Sequence, residues 1–197
     1  MNISIILLYQ HKVYTVGSLV WCSANKMLET QQASNELYIT CNGQKVCLKN
    51  DRYYSKDHVW VEAASDRYLK IGVTDYAQKF LREMVSLISI DSNETTDPQI
   101  RENQKFGTIF GRYYRVMDSR EYGCTAFDLI SPVNGKLVQV NNKIMNKPEL
   151  INKDPYGEGW VALIEVNDAE SSCKGLMESG NYGRTIADKK DSPFREL

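Results

Sequence analysis

From His58 onward, apolar and polar residues alternate in a series of short stretches, the period of half-buried strands. His58-Val59-Trp60-Val61-Glu62 puts Val59 and Val61 on one face and Trp60 on the other. Tyr68 to Val73 puts Leu69, Ile71 and Val73 on one face, and Ala63 to Asp66 reads as the turn between the two strands. Thr74-Asp75 then opens a helix, because either side chain can accept the free N–H groups of a first turn. Tyr76, Phe80 and Met84 recur four apart beside Ala77 and Leu81, which gives that helix one apolar face. Val85 to Ile90 follows as a strand whose faces alternate only partly.

Asp91 to Gln104 is polar, contains Pro98 and reads as an exposed loop. Phe106 to Val116 is a strand by its aromatic and β-branched content, Asp118 to Gly123 a turn, and Cys124 to Ile130 the returning strand of a long hairpin. Ser131 to Gly135 is a second turn, in which Asn134-Gly135 is expected at positive φ. Leu137 to Val140 and Trp160 to Val166 are further strands, with a short helical turn within Lys143 to Asn152. Asp168 to Ser179 reads as one modest helix packed through Leu176 and Met177, with Tyr182 and Ile186 continuing that packing. Ahead of all this, only Leu37 to Cys41 alternates, as a weak strand in the otherwise unstructured residues 29–50. Trp60 and Trp160 belong to the core or its rim, and His58 to the packed face of its strand. Many short strands with one early and one late helix make a mainly β architecture with helical trim.

Composition narrows the function classes. The 197 residues fit one domain plus extensions. Net charge is −1 with both signs mixed along the chain, which argues against a nucleic-acid stripe or a polybasic membrane patch. Five cysteines at irregular spacings (Cys22, Cys41, Cys47, Cys124, Cys173) and only two histidines, His11 and His58, argue against a zinc site or a disulfide framework. Reduced thiols in an intracellular compartment are the simpler expectation. Residues 1–28 hold no acidic residue and no arginine, and the apolar run Ile3 to Leu8 is too short to span a bilayer. A mitochondrial transit segment, a disordered extension, a misassigned start and a secretory core all remain open for them.

The run Pro148 to Trp160 is the most specified stretch: two prolines and two glycines in a loop leading straight into a strand. Together with Tyr54-Ser55-Lys56-Asp57-His58-Val59-Trp60-Val61, Ile71-Gly72-Val73-Thr74-Asp75-Tyr76-Ala77-Gln78 and Asp128-Leu129-Ile130-Ser131-Pro132-Val133-Asn134-Gly135, it resembles the H protein of the glycine cleavage system. The resemblance covers Tyr54 to Ile186, in the family's order. It implies a lipoyl-domain-like barrel-sandwich hybrid of two small sheets, with one early helix and a C-terminal helix. It divides the chain into an extension at 1–50, an H-protein-like domain at 51–186 and a charged mobile tail at 187–197. It also implies a non-catalytic carrier. In the family, lipoate on a hairpin lysine takes an aminomethyl group from glycine decarboxylase to the aminomethyltransferase, and dihydrolipoamide dehydrogenase reoxidises it.

The attachment segment departs from the family. In Glu121-Tyr122-Gly123-Cys124-Thr125-Ala126-Phe127-Asp128-Leu129-Ile130-Ser131-Pro132-Val133, the position of the family's lipoyl-lysine holds Cys124. No lysine lies between Lys105 and Lys136, and the hairpin is longer than the family's by about eleven residues, among them Arg112, Tyr113, Tyr114, Arg115 and Arg120. An amide-forming ligase needs a primary amine. Arginine is a poor nucleophile, and a thiol would give a labile thioester. The expectation is a chain that carries no cofactor and binds or regulates glycine cleavage or lipoylation enzymes. The alternatives are a working carrier modified at an unexpected site, and a redox or acyl-transfer role for Cys124, whose thiolate Arg120 would favour. No nucleic-acid or membrane partner is expected, and the compartment is mitochondrial or else cytoplasmic. Arg112, Arg115 and Arg120 read either as a solvated loop or as contacts for an acidic partner.

Overall fold

The computed structural model describes residues 6–9, 12–15, 35–80, 84–90, 98–114, 122–187 and 195–196, with side chains at 35–79, 98–111 and 125–187. The chain forms two compact units, Met1–Ser34 and Asn35–Leu197. In the first, β1 (Ile6–Tyr9) and β2 (Lys12–Thr15) pair antiparallel, Ile6 opposite Thr15.

The second unit carries the rest: β3 (Glu36–Cys41), β4 (Gln44–Lys49), β5 (Tyr53–Tyr54), β6 (Val59–Ser65), β7 (Tyr68–Val73), α1 (Asp75–Phe80), β8 (Met84–Ile90), β9 (Gln99–Ile100), β10 (Lys105–Tyr114), β11 (Tyr122–Ile130), β12 (Gly135–Val140), α2 (Asn142–Asn146), α3 (Leu150–Lys153), β13 (Trp160–Glu165), α4 (Ala169–Cys173), β14 (Met177–Glu178), α5 (Ser179–Ala187) and β15 (Arg195–Glu196). One sheet runs β14-β5-β6-β7-β13-β12-β9 and another β15-β11-β10-β8, both open at their edges; β3 and β4 form a separate hairpin. The mainly β class and the two-sheet plan match the expectation, without closure into a barrel.

The alternation of the strands sets the two cores. Val59, Val61, Leu69, Ile71, Val73 and Ile164 meet Phe106, Ile109, Phe127 and Leu129, so the two sheets share one apolar layer. On the other face of the larger sheet, Trp60, Tyr54 and Tyr76 are covered by Val46 and Leu48 of the β3-β4 hairpin and by Tyr182 and Ile186 of α5.

Several local expectations are corrected. Residues 44–49 are a strand, and Asn42 (φ 49°) with Gly43 (φ 78°) makes the two-residue turn before it, a hairpin signal present in the sequence. The turn between β6 and β7 is only Asp66-Arg67. Helix α1 is described over Asp75–Phe80, 81–83 lie outside the described residues, and Met84 begins β8 rather than continuing the helix. Within the stretch expected to be a loop, Gln99–Ile100 pairs with β12, while 91–97 lies outside the described residues. Gly135 is not at positive φ but starts β12, where an added Cβ would come within 2.5 Å of the Glu165 carbonyl oxygen. The expected single late helix is two, α4 and α5, parted by β14. Leu176 packs on the inter-sheet core and Met177 on the aromatic one, so the chain crosses between faces there. His58 is buried, but at φ 63° it sits in the turn before β6 rather than in the strand. Its Nδ1 lies 2.8 Å from the Tyr182 hydroxyl.

The Pro148 to Trp160 run serves as a tie. Asp154 accepts from Gly157 N (3.1 Å) and Glu158 N (2.8 Å). Trp60 Nε1 donates to the Pro155 carbonyl at 2.9 Å, and the Tyr156 hydroxyl donates to the Cys47 carbonyl at 2.9 Å. Asn141, which caps α2, donates to the carbonyls of Glu158 (2.8 Å) and Trp160 (2.7 Å). One loop is thereby fastened to β6, β4 and the start of α2.

Candidate functional site: the long hairpin

β10 and β11 pair antiparallel from Lys105↔Ile130 to Tyr114↔Tyr122, with one register shift between Lys105 and Gly107. Aromatic and β-branched residues favour this extended ladder. The base of the hairpin is anchored: Ile109, Phe127 and Leu129 are buried in the inter-sheet core. Asp128 accepts from Thr108 Oγ1 at 3.2 Å and forms an ion pair with Lys105 at 2.9 Å. The sequence marks Asp128 only as part of a motif, and its cross-strand role follows from the register Thr108↔Asp128.

Cys124 lies opposite Arg112, two register positions short of the last pair. Strand β11 begins at Tyr122, so the expected turn at 118–123 overlaps the ladder by two residues, and Cys124 stands within paired strand. Residues 115–121, including Arg115 and Arg120, lie outside the described residues. Thr125, the next residue, is 6% exposed, and its hydroxyl has no hydrogen-bond partner among the described residues.

Three cysteines have described side chains, Cys41, Cys47 and Cys173, and all are free. Burial pushes their thiols up, Cys173 to about 11, which favours the protonated form. Among the described residues no three His, Cys, Asp or Glu side chains gather as a metal site.

The family model for the glycine cleavage H-protein matches residues 52–189. The chain belongs to the glycine cleavage H-protein family. It is 38% identical over 135 residues to the glycine cleavage system H protein of Coprothermobacter proteolyticus, covering 68% of this chain and 94% of that one. It is 36% identical over 140 residues to the probable glycine cleavage system H protein 1 of Saccharolobus solfataricus, covering 71% and 90%. In fold it is similar to the crystal structure of an H protein from Mycobacterium marinum, with a TM-score of 0.54 at 22% identity over 70% of this chain and 98% of that one.

Position 124 of the hairpin holds a cysteine, and the lysine that precedes it in the chain, Lys105, is ion-paired with Asp128 at the hairpin's base. The family match leaves β3, β4 and β15 outside its bounds, so the hairpin half of the cover over Trp60 lies outside it while the α5 half lies within it.

Proposed function

We propose that this chain is a lipoate-free, H-like docking or regulatory module of the glycine cleavage system, without catalysis of its own. The observation that carries the reading is Cys124 in the hairpin ladder, with no lysine from 106 to 135. The module keeps the anchored hairpin and the tied scaffold, and so keeps a surface that glycine decarboxylase, the aminomethyltransferase, dihydrolipoamide dehydrogenase or a lipoylation enzyme would meet. Intact-mass measurement after co-expression with a lipoylation system tests it. The expected result is the unmodified mass. An added lipoyl mass, lost on mutating one lysine, would make the chain a working aminomethyl carrier instead, the reading favoured by its 38% identity to an H protein.

A thiol role for Cys124 is the third reading. It predicts that Cys124→Ser abolishes trapping of a partner by a thiol-reactive crosslinker, and unchanged trapping removes it. The acid-free first 28 residues support a mitochondrial address, with the cytoplasm as the alternative; a fluorescent fusion with and without those residues decides between them.

A further inference from the structure

The β3-β4 hairpin precedes residue 52, where the family match begins, and its two edges are unequal. On β4, the Cys47 N–H donates to the Asp75 carboxylate at 2.7 Å, and the Cys47 carbonyl accepts from the Tyr156 hydroxyl at 2.9 Å. The Lys49 N–H donates to the Tyr54 hydroxyl at 2.7 Å, that hydroxyl donates to the Lys49 carbonyl at 2.9 Å, and Lys79 reaches the Lys45 carbonyl. These groups point away from β3, so Tyr38↔Cys47 and Thr40↔Lys45 are the non-hydrogen-bonded pairs of the ladder. The backbone groups of Tyr38 and Thr40 therefore point out of the hairpin along the opposite edge. No hydrogen bond among the described residues takes them up. Tyr38 is 50% exposed, and Thr40 is exposed as well. β3 also lacks the usual protection of an edge strand, having no proline, no lysine and no bulge.

We propose that the open edge of β3 is a homodimer interface, occupied by β3 of a second copy in antiparallel pairing about a two-fold axis at Ile39. This register sets Tyr38 opposite Thr40 of the second copy, and Thr40 opposite its Tyr38. The outward groups at these two positions then form four main-chain bonds. Ile39 meets its own counterpart on the apolar face of the extended sheet. The charges allow the approach: Glu36 is ion-paired with Lys49 in its own copy, and Lys45 stands on β4, one strand back from the edge. The capped edge of β4 stops further addition, so assembly closes at two copies instead of growing into a fibre. Such a contact is far smaller than a standard protein interface, which makes the dimer weak and concentration-dependent.

Sedimentation velocity of the full chain over a concentration series, together with residue-resolved amide exchange, tests this. The wild type should move from monomer towards dimer as concentration rises. The Tyr38 and Thr40 amides should slow in parallel, while those of Leu37 and Ile39, which bond within the hairpin, keep their rates. Thr40→Pro deletes an edge donor without touching a β3-β4 bond, and should weaken dimerisation about tenfold or more. Thr40→Val keeps the donor and should dimerise as the wild type does. A wild type that stays monomeric at about 1 mM would overturn the proposal. So would a proline variant that dimerises at wild-type strength, or loss of the dimer in the valine variant.

Discussion

Trp60 packs against Gly72, its partner across the β6-β7 ladder, and a Cβ at residue 72 would lie 2.5 Å from the indole ring. The glycine is there for space, since it is not among the residues at positive φ. Trp60 is also held by its bond to the Pro155 carbonyl, so it cannot swing away freely. Gly72→Ala should therefore cost about 1–3 kcal/mol, the range for overpacking a filled core. Urea unfolding monitored by tryptophan fluorescence measures it.

The aromatic cluster contains a polar knot. The Tyr182 hydroxyl sits 2.8 Å from His58 Nδ1 and 3.1 Å from Thr74 Oγ1, both buried. The Tyr182 ring also stacks on Tyr54 at 4.7 Å. Tyr182→Phe keeps the stacking and removes both polar contacts, so it should cost about 1–3 kcal/mol. Tyr182→Leu should cost more, because the stacked contact goes too. Thermal melts of the two variants separate the hydroxyl from the ring.

Alkaline pH should unfold the domain through the buried phenols of this cluster and a buried thiol of the inter-sheet core. Burial raises the Tyr54 and Tyr182 phenols above their ordinary value, and pushes the Cys173 thiol up to about 11. The folded state thus holds these protons more tightly than the unfolded state. Stability is full below the thiol's ordinary value near 9 and falls as pH rises through the folded values. In a titration followed by tyrosinate absorbance and far-UV circular dichroism, Tyr54 and Tyr182 should ionise in one step with loss of strand signal.

What the sequence made legible follows from how local each signal is. Val59, Trp60 and Val61 alternate because the strand is buried on both faces by different partners, and that pattern survives without knowing the partners. The β4 strand is hidden because only Val46 and Leu48 point inward, between exposed Gln44 and Lys45 and the polar Lys49; its burial comes from Trp60 and Tyr76 and from α5, which lies more than a hundred residues away. Asn134-Gly135 has a turn signature, yet the fold uses its glycine for close approach of β12 to β13, a demand set by tertiary packing. The late helix divides because Leu176 and Met177 serve different cores, which periodicity alone does not reveal. At the hairpin, the cysteine at 124 is plain in the sequence. The ladder pairs beyond it are local but fall where the sequence reads as a turn, whereas the β15 contact is non-local and becomes visible only in the fold.

Asn141 should be a costly residue to lose. Its side chain donates to two carbonyls of the Pro148 to Trp160 tie and accepts from Lys143 N at 3.0 Å, capping α2. Asn141→Ala deletes all three bonds, and the partly exposed Glu158 and Trp160 carbonyls lose this donor. A loss of about 1–3 kcal/mol is expected, combining a cap with two polar bonds. Asn141→Asp keeps the cap but sets a carboxylate oxygen against the two carbonyls, so it should be no more stable than the alanine variant in chemical denaturation.

Leu48 tests whether the added hairpin belongs to the domain's stability. It lies before residue 52, outside the family match, yet it is 0% exposed and packs in the same cluster as Trp60 and Tyr182. A Cβ on Gly183 of α5 would come within 3.4 Å of its side chain, so hairpin and helix are in close apposition. The hairpin is also fastened by polar bonds: the Tyr54 hydroxyl donates to the Lys49 carbonyl at 2.9 Å, Cys47 N donates to Asp75 at 2.7 Å, and Lys79 reaches the Lys45 carbonyl. If β3 and β4 were a passive extension, Leu48→Ala would leave the melting of the domain unchanged. Because they cover a buried aromatic face, the substitution should destabilise the whole second unit by about 2–5 kcal/mol. The loss should appear as a single earlier transition shared by tryptophan fluorescence and far-UV circular dichroism, not as separate melting of a peripheral hairpin.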